Sequence, residues 1–319
     1  MRVILFYNPT AGYLPCDADE LTTLIENAGH DVVKVVSRKS ELADALRIGC
    51  DLVAVAGGDG TVGKAASVVT GTRVPLAILP AGTANNMANT IGLPGELSAV
   101  VADWARSEVR GFDAAVAVWG DGARQRCPFY EAFGLGAFPT AMAEADRLDE
   151  EMPLKDAEAA LRRDRVVLRD VAATAPVRDY RITIDGEDHS GAYLLVEAML
   201  IPCIGPNVAI APGIDPHDGL LDFVLVPEEE RAPLVAELDE LVNGKPVKWR
   251  LDHMRGRHAV IEVNDGRFHA DGDLCEDDAG ACNGGRIELI ATADVFRLLV
   301  PPRATAPDYI RGGSPSESG

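Results

Sequence analysis

D-L-V-A-V-A-G-G-D-G-T-V-G-K, residues 51–64, is the stretch that decides how the rest is read. Leu52 to Ala56 is a short apolar run with two valines and reads as a buried strand. It stops in Gly57-Gly58-Asp59-Gly60-Thr61 and runs on into an Ala/Val-rich stretch of helical character. A strand that ends in glycines and feeds a helix is a phosphate-binding arrangement. Glycine lets backbone approach a ligand closely, and the N–H groups at a helix start favour an anion. Asp59 does not belong in a pure anion cradle. A carboxylate beside phosphates implies a bridging metal ion or a base acting on an incoming hydroxyl. The competing reading is a plain turn with Asp59 as a helix cap. The loop is neither a Walker A sequence nor G-x-G-x-x-G.

Residues 76–90, L-A-I-L-P-A-G-T-A-N-N-M-A-N-T, repeat the pattern: a strand over Leu76 to Leu79, a turn at Pro80-Ala81-Gly82-Thr83, and a helix opening near Asn85. G-G-D-G-T followed by L-P-x-G-T-x-N resembles the diacylglycerol kinase catalytic-domain family, which includes bacterial lipid kinases and the sphingosine and ceramide kinases. NAD kinases share its G-G-D-G-T loop. Asn8-Pro9-Thr10-Ala11-Gly12, after the first strand, is similar to the family's N-terminal motif. The resemblance runs from residue 1 to about 300.

Working outward, Val3 to Tyr7 reads as a strand, Asp19 to Ala28 as a helix ended by Gly29, and Asp31 to Val36 as a strand. Ser40 to Ile48 reads as a helix with Ser40 as N-cap, and Leu97 to Arg106 as another. This β-α-β-α-β order implies a parallel sheet covered by helices, with ligands at the carboxyl ends of its strands. The glycine motifs at 8–12, 57–61 and 80–83 all fall at strand ends, so one rim collects them.

From Gly111 the texture changes to short β-prone runs: Ala114 to Trp119, Val166 to Arg169, Tyr180 to Ile184, Tyr193 to Met199, Leu221 to Val226, His258 to Val263 and Ile287 to Ala291. A helical insertion over Leu154 to Arg163 and a helix over Arg231 to Asn243 interrupt them. The expected fold is an α/β N-terminal domain with a parallel sheet, of the NAD kinase and diacylglycerol kinase type, and a mostly β C-terminal sandwich. The expected domains are 1–111, 112–292 and a flexible tail at 304–319, with about 293–303 returning to the first domain as the resemblance implies.

Net charge is −20, from 50 acids against 30 bases, which argues against a nucleic-acid partner. Six scattered cysteines without C-x-x-C read as free thiols of a reducing compartment. No apolar run is long enough to span a bilayer, and the N-terminus enters a strand without a signal-peptide layout. The expected setting is cytoplasmic, with transient visits to the membrane surface if the acceptor is a lipid.

The resemblance implies site residues. Asn8, Pro9, Thr10, Ala11 and Gly12 would contact the phosphates of ATP. Gly57, Gly58, Asp59, Gly60, Thr61, Val62, Gly63 and Lys64 would wrap them, Thr83 would complete the cradle, and Ser37 stands where the family has a nucleotide-contacting Thr. Ala270-Asp271-Gly272-Asp273 resembles the family's D-G-E segment, whose acid takes the proton from the lipid hydroxyl. Asp273 is assigned as base and Asp271 as its neighbour orienting metal or substrate, with the reverse assignment open. Residues 211–225 resemble a segment that holds a structural Mg2+ in some bacterial members. Asp218 would give a side-chain oxygen, and Asp215 and Leu220 backbone carbonyls; a plain Asp-Gly turn is the alternative.

Gly134-Leu135-Gly136 resembles a family glycine turn, and Phe129, Phe133, Phe138 and Met142 read as core in preference to an acyl-chain groove. The chain departs from the family at Gly63-Lys64, where Asn and Glu are usual, at Asn86 for Asp, and at Asp273 for Glu. The expected activity is an ATP- and Mg2+-dependent lipid kinase, with diacylglycerol converted to phosphatidate. The alternatives are a kinase of a soluble alcohol such as NAD, and a non-catalytic nucleotide-binding regulator. The family likeness also makes a homodimer an expectation.

Overall fold

The computed structural model describes residues 1–9, 17–93, 95–120, 125–249, 251–263, 267–275 and 285–301. The tail at 304–319 lies outside them, as do Thr10, Ala11 and Gly12. The described residues divide into two compact units, Met1–Phe112 with residues 294–301, and Asp113–Ala293.

The first unit opens with β1 (Arg2–Tyr7), α1 (Ala18–Asn27), β2 (Asp31–Val36) and α2 (Lys39–Ala45). Next come β3 (Leu52–Gly57), α3 (Asp59–Val69), β4 (Leu76–Pro80), α4 (Asn86–Thr90) and α5 (Leu97–Asp103). The strands lie in the order β2-β1-β3-β4, all parallel. Every residue of β3 and β4 is buried, as expected of central strands covered on both faces. Leu21 and Ile25 of α1, Val100 and Val101 of α5 and Trp104 pack with Val3, Leu5, Leu52, Ala54 and Leu79 into one core. The N-cap of α2 is Arg38, not Ser40. Ser40 lies inside the first turn, because Glu41 reaches back and its carboxylate accepts the N–H groups of Ser37 and Arg38, both at 3.1 Å.

β5 (Glu108–Trp119) starts in the first unit and continues in the second. The second unit continues with β6 (Gln125–Phe129), β7 (Ala132–Gly136), α6 (Ala137–Glu151), α7 (Ala157–Thr174), β8 (Arg178–Ile184), β9 (Glu187–Asp188) and β10 (Gly191–Met199). It ends with β11 (Leu221–Pro227), α8 (Arg231–Val242), β12 (His253–Gly256), β13 (His258–Val263), β14 (Phe268–Ala270), β15 (Asp273–Cys275) and β16 (Gly285–Val300). Its strands pair antiparallel: β15-β14-β7-β10 with β11 and β12 beyond, and β8-β13-β16. Two cores result. Phe129, Phe133, Phe223, Ile261 and Phe268 fill the space between strands, while Phe138, Leu168, Leu195, Met199 and Leu238 join the helices to the sheet. The phenylalanines read as core are core. In β10, Val196 and Ala198 face the first cluster, and Leu195 and Met199 the second, the two-residue alternation of a strand.

Two expectations fail here. Val166 to Arg169 is not a strand but the middle of α7, and the helical insertion is two long helices. The buried positions of α7, Ala160, Val167, Leu168 and Ala172, follow helical spacing, and Asp156 caps its start by accepting the Ala159 N–H at 2.7 Å. Helical periodicity and a cap outweigh the local β preference of two valines. Gly134-Leu135-Gly136 is likewise the end of β7 and not a turn; only Gly136, at φ 86°, leaves strand geometry to start α6.

Candidate functional site

A parallel sheet sends the carboxyl ends of its strands to one edge. The segments that follow β1, β2, β3 and β4 therefore bring Asn8, Ser37, Gly58 and Gly82 to a common rim. The Asn8 N–H donates to the Ala56 carbonyl at 3.0 Å, and its side-chain amide donates to Thr61 Oγ1 at 3.2 Å. The first motif is thus fastened to the second. Pro9 follows directly, and Ser37 is exposed.

The two glycine loops touch backbone to backbone. A methyl group on Gly82 would stand 2.3 Å from Gly58 Cα, and one on Gly58 would stand 3.0 Å from Gly82 Cα. At Gly57 it would meet Thr61 Oγ1 at 2.5 Å. The Ala81 N–H donates to the Gly57 carbonyl at 3.1 Å. Asn85, in the left-handed region at φ 53°, accepts the Gly82 N–H and donates to the Gly82 carbonyl, both at 2.8 Å.

Asp59 closes the arrangement. It is the first residue of α3, yet its two carboxylate oxygens accept the N–H groups of Asn86 at 2.9 Å and Met87 at 3.0 Å. It therefore caps α4 from another segment of chain. Burial raises its pKa above the ordinary carboxylate value, and those amide donors oppose the rise. Asp59→Ala is expected to cost about 0.5–2 kcal/mol of stability, as lost caps do. It should also raise the KM for ATP by freeing the second loop, as thermal melts and nucleotide kinetics would show. Of the other cradle residues, Thr61 and Val62 are buried, Gly63 and Thr83 half-buried, and Gly60 and Lys64 exposed. Val62 offers a ligand only its backbone.

In the second unit the acidic turn joins β14 to β15. Asp271 adopts φ 55°, and its carboxylate accepts the N–H groups of Tyr130 at 2.9 Å, Glu131 at 2.8 Å and Ala132 at 3.3 Å. Its own N–H donates to the Ala132 carbonyl at 2.7 Å. Burial pushes its pKa up to about 6 against the pull of those amides. Asp273 is exposed and paired in β15 opposite Ala270, its carboxylate unclaimed by any hydrogen bond among the described residues. Asp271 thus anchors the turn, while Asp273 faces solvent.

Beneath the turn, sequence reading missed a buried pair. His269 Nε2 lies 3.0 Å from Glu197 Oε2, and both side chains are out of solvent. The one signal was a lone acid in the apolar run Tyr193 to Met199. Burial raises the Glu197 pKa, with His269 opposing. For His269 burial acts downward, but Glu197 and the Asp271 carbonyl outweigh it and the pKa rises. In Asp59, Asp271, Glu197 and His269 alike the folded chain holds protons more tightly than the unfolded chain. For Asp271 that contribution is complete below its ordinary value of 3.8 and is lost as pH rises through about 6. The melting temperature is expected to be higher at pH 5 than at pH 7, a slope that Asp271→Asn should flatten.

In the 215–220 turn the two carboxylates already have donors within the protein. Asp218 Oδ1 accepts the Leu220 N–H at 3.0 Å, and Oδ2 the Arg255 guanidinium at 3.2 Å. Asp215 Oδ1 accepts the His217 N–H at 3.2 Å. Arg255 already supplies the positive charge. Among the described residues no group of three or more His, Cys, Asp or Glu side chains is placed to hold a metal. The described cysteines, Cys50, Cys127, Cys203 and Cys275, are free thiols. No helix among the described residues is long and apolar enough to cross a membrane.

The family model for the diacylglycerol kinase catalytic domain matches residues 2–117, and that for the YegS C-terminal NAD kinase beta sandwich-like domain matches residues 141–281. A protein named diacylglycerol kinase from Mycobacterium tuberculosis is 29% identical over 292 residues, 86% of this chain and 89% of that protein. A crystal structure of a diacylglycerol kinase from Bacillus anthracis superposes with a TM-score of 0.65 at 18% identity, covering 94% of this chain and 97% of the other. Yeast NADH kinase superposes at 0.55 with 11% identity, covering 98% and 85%. These two structural likenesses speak to fold alone.

Proposed function

We propose that this chain, matched in order by the two domain models of diacylglycerol and YegS-type lipid kinases, transfers the γ-phosphate of MgATP to a lipid hydroxyl, with diacylglycerol as acceptor and phosphatidate as product. The observation that carries the reading is the seat of Gly58 on Gly82, closed by Asp59 and fastened to Asn8. Such a seat leaves no room for side chains and presents backbone to a polyphosphate. The Thr83 hydroxyl, the Asn8 amide and the backbone of Gly58 to Lys64 then bind the nucleotide. Lys64, exposed in the second turn of α3, adds the cation that the family's usual acid would not. Mg2+ arrives with ATP as part of the substrate.

The acceptor oxygen attacks the γ-phosphorus, the bond from that phosphorus to the β,γ-bridging oxygen breaks, and ADP leaves. The hydroxyl proton passes to the Asp273 carboxylate. Asp273 is a methylene shorter than Glu, and Asp271, held by backbone amides, fixes the turn that carries it.

A lipid acceptor is supported by a groove of about 930 Å3 between α6 and α7, within the second unit. Ala143, Leu148, Val166, Val167 and Val171 give it an apolar floor, and Arg147, Arg162 and Arg267 stand among its walls. Glu144 and Asp170 line it too, and Arg147 is paired with Glu144 at 2.6 Å, so it is the apolar part of the lining that suits acyl chains; the protein would meet its acceptor as a peripheral visitor to the bilayer. The test supplies labelled ATP, Mg2+ and mixed micelles of diacylglycerol, with NAD as the competing acceptor. Labelled lipid is the expected product. A folded protein that labels no lipid overturns the reading.

A further inference from the structure

We infer that Glu197 and His269 form a positioning dyad that holds the D-G-D turn in its working conformation. The kinetic half of this inference rests on the phosphotransfer reading above, and the structural half on geometry alone.

His269 is 1% exposed and Glu197 0%. The ring lies between two acceptors: Nδ1 is 2.9 Å from the Asp271 carbonyl, and Nε2 is 3.0 and 3.2 Å from the two oxygens of Glu197. A carbonyl can only accept, so Nδ1 carries a hydrogen. Nε2 then shares one proton with the carboxylate, and the pair is neutral overall wherever that proton sits. The ring is further fixed by Phe138, whose centroid is 4.9 Å away. Glu197 has room only because its neighbour in β7 is Gly134, where a methyl group would stand 2.1 Å from Glu197 Oε1.

The reach of the dyad is one carbonyl, and that carbonyl matters. Asp271 sits at φ 55°, a left-handed conformation that is strained for a residue with a side chain. Three sets of bonds hold it there: the amides of residues 130–132 on its carboxylate, its own N–H on the Ala132 carbonyl, and His269 on its carbonyl. Asp273 follows two residues later, so the direction of its carboxylate depends on that lock. A buried pair of this kind is a poor way to stabilise a fold, because apolar residues of equal volume do as well or better. Its use is to specify one conformation of the turn.

His269→Phe keeps the ring and its stacking but removes both hydrogen bonds. Glu197→Gln keeps a partner for Nε2 and leaves Nδ1–H on the Asp271 carbonyl. In His269→Phe, kcat is expected to fall about 10–100-fold with the KM for ATP unchanged, while Glu197→Gln keeps most of the wild-type rate. Amide exchange at Glu131 and Ala132 should quicken about tenfold or more in His269→Phe and stay slow in Glu197→Gln. A folded His269→Phe that keeps its kcat, or keeps slow exchange at those amides, overturns the dyad. So does loss of kcat and ATP binding together in proportion to the unfolded fraction. Should the wild type label no lipid, the kinase reading fails, and the exchange measurement still decides the dyad by itself. If His269→Phe does not fold, fast exchange at Glu131 and Ala132 in a folded Glu197→Gln likewise overturns it.

Discussion

Asp273→Asn is expected to lower lipid phosphorylation by about 10²–10⁴-fold, the range in which a positioned general base contributes. The KM for ATP and the melting temperature should stay close to wild type. The reasoning is local. Asp273 is exposed, and among the described residues its carboxylate supports nothing else. Asparagine preserves size and polarity but cannot take a proton. Asp273→Glu restores the family's usual acid and should keep or raise activity. Asp271→Asn is expected to behave differently. Its new NH2 group would face the amide donors of residues 130–132, so stability changes along with rate. Equal and modest losses in Asp273→Asn and Asp271→Asn, with unchanged melts, would reverse the roles given to them.

Gly82→Ala is expected to remove nucleotide binding almost entirely. Its methyl group would stand 2.3 Å from Gly58 Cα, and that neighbour is backbone with no side chain to swing away. The loops must separate, which strains the Ala81 to Gly57 hydrogen bond and the Asn85 clasp. Overpacking of this kind typically costs about 1–3 kcal/mol. A loop displaced by an ångström costs about 10²-fold in transfer. Calorimetric titration with ATP and a thermal melt separate the two effects. Retained ATP affinity in Gly82→Ala would show that phosphate recognition does not depend on this contact. Gly95→Ala is the control, since it lies outside the two loops and a methyl group there meets nothing within 4 Å of the protein.

Much of the first unit was legible because its signals are local. Apolar runs end in glycines, the helices between them keep their spacing, and alternation of strand and helix allows only a parallel sheet with one functional rim. What could not be read was contact between loops. Gly58 and Gly82 each read as a turn glycine, and nothing in the order of residues says that they rest on one another. The same holds for Asp59, whose capping of α4 from another segment of chain no local pattern announces. In the acidic turn the sequence offers two aspartates two positions apart. Backbone handedness at Asp271 turns its side chain onto the chain at 130–132 and leaves Asp273 outside. Handedness is invisible in composition. The α6–α7 hairpin was misread for a different reason: its buried stripe is narrow among many charges, and two adjacent valines imitate a strand.

One feature of the first unit bears on how the protein is made. β16 ends beside β4, with Leu298 paired to Leu76 and Leu299 packed into the same core as Val3 and Leu5. Phe296 packs against Phe112, their ring centroids 5.2 Å apart. The sheet of the first unit therefore waits for β16, translated long after β4, before it is closed. Until then β4 presents a bare edge, and a nascent chain stalled short of Leu298 would be a template for aggregation rather than a working nucleotide-binding domain.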